Sequence, residues 1–159
     1  MRNYFFDTSA FVKAYAIEDG SRRVRAILSG VDAVPPENQV VLSGLAHPEA
    51  ASALRAIMSG PDAARRGFGA HERKTLPGVV AGQFGTLSPL EISQTDPHLA
   101  DAAALAWRHQ LKGADAVHLA TALALRQAFV GVEFYFVSSD VALNRAAAAE
   151  GLDVLDPAV

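Results

Sequence analysis

Apolar positions along the chain change period repeatedly, from short runs that suit strands to the three-and-four spacing of amphipathic helices. Tyr4-Phe5-Phe6 reads as a buried strand that stops abruptly at Asp7. Thr8 and Ser9, good helix-capping types, precede Phe11, Val12, Tyr15 and Ala16 at helical spacing, so the strand runs straight into a helix. Glu18-Asp19-Gly20-Ser21 is turn chemistry with Ser21 as a cap. Val24, Ile27 and Leu28 then mark a second helix ending near Gly30. After the Pro35-Pro36 break, Gln39 to Ser43 predicts a second strand. A helix opens near His47-Pro48-Glu49, proline being favoured at the first helical position, and runs to Gly60-Pro61.

The segment from Asp62 to Gly85, broken by glycines and Pro77, predicts one or two short helices. Leu87 to Ile92 predicts a third strand, which Pro89 places at an edge or an irregular end. Thr95-Asp96-Pro97 starts another helix, and Gly113 interrupts it before a new one opens at Ala114-Asp115. Val132 to Val137 predicts a core strand. Ser138-Ser139-Asp140 leads into a helix that ends at Gly151, and Val154-Leu155 makes a short last strand. This alternation predicts an α/β fold with a mainly parallel central sheet of four or five strands, flanked by helices on both faces.

Composition narrows the chemistry. The chain has 159 residues, half of them apolar and 19% charged, which fits one globular domain over 1–159. With no cysteine, disulfides, thiolate zinc sites and cysteine nucleophiles are excluded. The chain shows no basic leader and no apolar run of membrane-spanning length, so the expectation is a cytoplasmic protein without a membrane partner. A formal net charge of −3 argues against a general nucleic-acid coat protein, but not against an enzyme that gathers its acids in one place. The basic runs at Arg22, Arg23 and Arg25, and at Arg65, Arg66, Arg73 and Lys74, are read as solvated helix faces.

Four acids stand out because each sits at the start of a predicted helix: Asp7, Glu49, Asp115 and Asp140. Taken singly, each is explained by the affinity of carboxylates for helix N-termini. Together they suggest more. Helices that follow parallel strands begin at the carboxyl edge of the sheet, where ligands bind in open α/β folds. Carboxylates gathered there repel unless protonated or neutralised by a cation, and oxygen-only ligands suit Mg²⁺ or Mn²⁺. His118, one turn beyond Asp115, reaches the same region, yet a histidine on a mostly apolar helix is more often hydrogen-bonded in the core or at an interface. Trp107 is read as a core or dimer-contact residue rather than a base-stacking platform. Scattered glycines form neither a GxGxxG nor a P-loop pattern, so a nucleotide cofactor has no warrant.

The motifs around three of these acids carry a resemblance. Phe6-Asp7-Thr8-Ser9-Ala10-Phe11-Val12-Lys13 resembles the opening of PIN-domain proteins. Gly113 to Ala122, Gly-Ala-Asp-Ala-Val-His-Leu-Ala-Thr-Ala, is similar to the third-acid helix of the VapC-type toxins in that family. Phe136-Val137-Ser138-Ser139-Asp140 is similar to the segment bearing the fourth acid, and Glu49 fits the glutamate on the helix after strand two. The resemblance runs from about Tyr4 to Leu155.

It implies a PIN-like fold and a Mg²⁺- or Mn²⁺-dependent endoribonuclease in which Asp7, Glu49, Asp115 and Asp140 hold one or two ions, supported by Ser9 and Ser139. It further implies an RNA substrate, a VapB-like antitoxin and a homodimer. A catalytically inactive PIN-like RNA-binding or scaffold module is the alternative. A phosphatase of another α/β family is less suited, because the first strand lacks an Asp-x-Asp pattern.

Overall fold

The computed structural model describes the backbone of residues 1–87, 89–90 and 97–159, and the side chains of 1–87 and 99–159. Its strands are β1 (Arg2–Phe6), β2 (Asn38–Ser43), β3 (Pro89–Leu90), β4 (Phe134–Val137) and β5 (Asp153–Leu155). Its helices are α1 (Thr8–Val12), α2 (Ser21–Ser29), α3 (Ala46–Ser59), α4 (Ala70–Thr86), α5 (Pro97–His109), α6 (Gly113–Ala128) and α7 (Val141–Ala149). All pairings are parallel, in the order β3-β2-β1-β4-β5. The third strand lies at the edge, where its proline needs no ladder donor. The Glu91-Ile92 end expected for that strand, and the Thr95-Asp96 helix start, lie outside the described residues.

Strand order reverses beside β1. The chain moves outward through β2 and β3, then returns to place β4 on the other side of β1. The carboxyl ends of β1 and β4 therefore flank a switch point, the crevice in which open α/β sheets take ligands.

Alternation along β1 explains why both faces of the sheet are covered. Tyr4 and Phe6 point into one apolar cluster with α1, α2, α3 and α4, while Phe5 points into another with α5, α6 and α7. The register Phe5↔Phe136 stacks two rings at 5.8 Å and 10°, and Tyr4↔Tyr135 stacks a second pair at 5.5 Å on the opposite face. Phe5 is fully buried. Its replacement by alanine should lower stability by about 3–5 kcal/mol, as for other buried aromatic truncations. Denaturant unfolding checks this, and a loss under about 1 kcal/mol would show that the ring is not a core element.

The expectation of short helices over Asp62 to Gly85 is corrected by the structure. From Ala70 to Thr86 the chain forms one 17-residue helix with Pro77 inside it. The reason is tertiary. Val80 and Phe84 are buried, and Phe84 packs against Phe11 at 6.0 Å and against the His47 ring at 4.7 Å. The Tyr15 hydroxyl donates to Gln83 Oε1 at 2.5 Å. These contacts outweigh the missing amide of Pro77 and the poor helix propensity of three glycines.

Two smaller differences concern caps. Asp7 caps α1, as its place at a helix start allows, its Oδ1 accepting from the Ala10 amide at 2.8 Å, so the cap is not Thr8 or Ser9. Gly20, at φ +85°, precedes α2 in place of Ser21, whose hydroxyl instead donates to the Ala16 carbonyl. A Cβ at Gly20 would lie 2.7 Å from the Pro157 carbonyl carbon, so that turn requires glycine. Trp107 is 88% exposed on α5, which removes the core reading of that residue. Among the described residues, no helix is long and apolar enough to cross a membrane.

Candidate active site

Asp7, Glu49, Asp115 and Asp140 all line one cavity of about 580 Å³. Three reach it by the route the strand pattern suggests. Asp7 follows β1 directly, Asp140 caps α7 three residues after β4, and Glu49 lies in the first turn of the helix after β2. Asp115 arrives differently. Its helix, α6, follows α5 rather than a strand, and packing of α6 on α5 delivers its first turn to the cavity.

Each acid is anchored to its own surroundings. Asp7 is buried; besides the Ala10 amide it accepts from the hydroxyls of Ser9 and Ser138, each at 2.9 Å. Burial nonetheless raises its pKa above the usual carboxylate range, against the lowering effect of these donors. Glu49 Oε2 accepts from the Thr8 hydroxyl at 2.6 Å and lies 2.7 Å from His118 Nε2. The His118 hydrogen bond is the main cause that lowers the pKa of Glu49, opposed by partial burial. Asp140 Oδ1 accepts from the Leu143 amide at 2.9 Å. Asp115 is half-buried, and burial raises its pKa first, with the nearby charges of Asp140 and Glu49 adding to the rise.

Of the two serines expected beside the acids, Ser9 contacts Asp7 and the Ser139 side chain does not. Ser9 contacts both oxygens of Asp7 and accepts from the Ser139 amide at 2.9 Å. The Ser139 side chain makes no such link; its buried Oγ has no partner among the described residues. Ser138 does the work assigned to its neighbour, donating to Asp7 Oδ2 and accepting from the Asp140 amide at 3.0 Å. Ser138 thus ties the first acid to the fourth. The sequence places Ser138 and Ser139 equally close to Asp140, and only the direction in which the strand end projects distinguishes them. His118 is both core-buried and at the cavity, so each half of the sequence reading holds. Lys13, the last residue of the opening motif, also lines the cavity. Its ammonium is held by the Asp19 carbonyl at 2.8 Å and by Glu18 Oε1 at 3.4 Å.

Among the described residues, no three histidine or acidic side chains stand close enough to hold one ion by themselves. Their anchoring to separate helices explains this. The donor set still fits Mg²⁺, which retains waters and is bound through one or two carboxylates together with substrate phosphates. Two carboxyl groups with raised pKa values beside further acids also make a place where a cation would relieve both burial and repulsion.

The PIN domain family model matches residues 4–149, nearly the whole chain and every residue of this cavity. The chain belongs to the PIN-domain family. This PIN protein is also 38% identical over 122 residues to ribonuclease VapC45 of Mycobacterium tuberculosis strain CDC 1551 / Oshkosh, covering 76% of this chain and 75% of the relative. The same figures hold for ribonuclease VapC49 of Mycobacterium tuberculosis strain ATCC 25618 / H37Rv. Within the family it is therefore of the VapC type.

Proposed function

We propose that this VapC-type PIN protein is a Mg²⁺- or Mn²⁺-dependent endoribonuclease, the toxin of a VapBC-type toxin–antitoxin pair. The observation that carries the reading is the convergence of four acids from four separate helix starts on one cavity at the sheet's switch point. The two similar proteins are named as ribonucleases, which supports RNA as the substrate class.

Electrostatics supports a metal. Five carboxylates line the cavity: Asp7, Glu18, Glu49, Asp115 and Asp140. Lys13 is the one lysine or arginine among its described lining residues. A phosphodiester entering such a field is repelled unless a cation compensates the charge. Asp7, Glu49, Asp115 and Asp140 are the residues that would hold one or two ions, directly or through water. A divalent ion bound there supplies an acidified water and stabilises charge developing on the phosphate. The chain's own part is placement. Ser9 and Ser138 fix Asp7, the Leu143 amide fixes Asp140, and Lys13, paired with Glu18, sets one positive charge in the cavity wall. The partners that complete this reading are a VapB-like antitoxin and a second copy of the chain in a cytoplasmic homodimer.

Incubation of the purified protein with total RNA tests the activity. Fragmentation is expected in Mg²⁺ or Mn²⁺ and none in EDTA. Equal cleavage in EDTA would reject the metal-dependent mechanism, whereas RNA binding with no cleavage in either metal would favour the inactive scaffold.

A further inference from the structure

The contact between His118, Thr8 and Glu49 joins three helices that the chain order keeps far apart. Glu49 Oε2 receives the Thr8 hydroxyl at 2.6 Å and sits 2.7 Å from His118 Nε2, which is also 3.2 Å from Thr8 Oγ1. A carboxylate oxygen only accepts, so the proton of this contact belongs to Nε2. The other ring nitrogen agrees. Nδ1 is buried without a partner among the described residues, and a proton there would be an unmet donor. The ring is only 1% exposed and is held edge-on to Phe5 at 6.4 Å.

Resting on the metal-dependent reading above, we propose that His118 is a positioning residue: with Thr8 it clamps Glu49 Oε2 and leaves Oε1 as the single oxygen offered to a divalent cation or its water. Two features separate this from a role as a ligand. The nitrogen facing the cavity is engaged as a donor, so it has no lone pair to give a metal. A ligating histidine moreover usually donates its second N–H to a partner, and Nδ1 has none among the described residues. The clamp also fixes spacing. Thr8 adjoins Asp7 and His118 lies one turn from Asp115, so Glu49 is tied to both neighbouring acids through one shared oxygen.

The test compares wild type with His118→Leu, which removes the donor, His118→Gln, whose amide restores one, and Thr8→Val, which keeps the shape and deletes the hydroxyl. Thermal unfolding first establishes which variants are folded. Mn²⁺ affinity is then measured by titration without RNA, kcat and KM for RNA cleavage are separated, and the protonated nitrogen of His118 is assigned from ¹⁵N shifts in the metal-free protein. His118→Leu should lose about 10–100-fold in Mn²⁺ affinity and in kcat, the range for residues that orient ligands, with KM for RNA unchanged. His118→Gln should return to within a few-fold of wild type, and Thr8→Val should weaken Mn²⁺ binding in the same direction.

A folded His118→Leu that binds Mn²⁺ like wild type, a His118→Gln no better than it, or a proton found on Nδ1 would each overturn the clamp. If His118→Leu does not fold, Thr8→Val and the ¹⁵N assignment decide. A wild-type protein that binds Mn²⁺ and cleaves RNA while these tests fail sinks the clamp alone. One that binds no divalent ion sinks the proposed function and the clamp together.

Discussion

Asp7→Asn is expected to lower the rate of metal-dependent RNA cleavage by more than about 100-fold, beyond what loss of a residue that merely supports a ligand produces. Asp7 stands at the carboxyl end of the central strand, beside the switch point, with both oxygens fixed by Ser9, Ser138 and the Ala10 amide. An amide in its place removes one negative charge. It also turns an NH₂ group toward at least one of these donors, so local geometry and cation affinity suffer together. Circular dichroism and a thermal melt separate this from unfolding. The fold should persist, because the strand and helix on either side of Asp7 are held by buried Phe5, Phe6, Ala10 and Phe11. A folded Asp7→Asn protein with wild-type turnover in Mg²⁺ would remove Asp7 from the chemistry and the proposed mechanism with it.

The second large effect concerns stability without RNA. If a divalent ion binds only the folded chain, saturation to about 100 times its dissociation constant contributes about 2.7 kcal/mol, which for a chain of this size raises Tm by about 5–10 °C. The sign of the pH dependence follows from the acids. Asp7 and Asp115 have raised pKa values in the folded state, chiefly from burial, so the folded protein holds those protons more tightly than the unfolded chain does. Their contribution is therefore fully present below the ordinary aspartate value of 3.8 and is lost as pH climbs through the raised folded values. Glu49 works in the opposite sense. Its lowered pKa adds stability above the ordinary glutamate value, and that stability is lost on acidification.

Asp115→Asn isolates one of these contributions. In metal-free buffer near neutrality it should raise Tm slightly. It removes a half-buried charge that faces Asp140 and Glu49, which outweighs the ~0.3–1 kcal/mol a first-turn carboxylate gains from exposed helix amides. With Mg²⁺ the order should reverse, wild type gaining more than the variant. Scanning calorimetry at several pH values, with and without metal, reads both. A variant less stable than wild type in metal-free buffer would show that the helix-end attraction dominates at Asp115.

Much of this arrangement is legible along the chain because it is local. An aromatic run ending in Asp7, and an apolar run followed by Ser-Ser-Asp140, announce strand-to-helix junctions whose chemistry lies within a few residues. The α/β class follows from the alternation of periods, and the parallel sheet follows from that alternation. The long helix over Ala70–Thr86 is not legible in this way. Its own residues show almost no amphipathic periodicity, and it exists because Phe84 and Val80 find apolar partners on other elements. Ser138 escapes for a related reason, since which of two adjacent serines meets Asp7, 131 residues earlier, depends on the pairing of β4 with β1.

What the sequence determines by itself is the set of chemical groups and the elements that carry them: four acids at helix starts, a chain without cysteine, and, for β1, β2, β4 and β5, strand limits within about two residues of those expected. Tertiary structure alone decides which groups meet. It brings α6 to the cavity by packing on α5, so Asp115 joins acids on segments that follow strands, and it presses His118 against Glu49 and Thr8. The physical reason is range. Capping and periodicity act over a few residues and are written in order, whereas contacts between distant helices depend on how the two apolar faces of one sheet are filled.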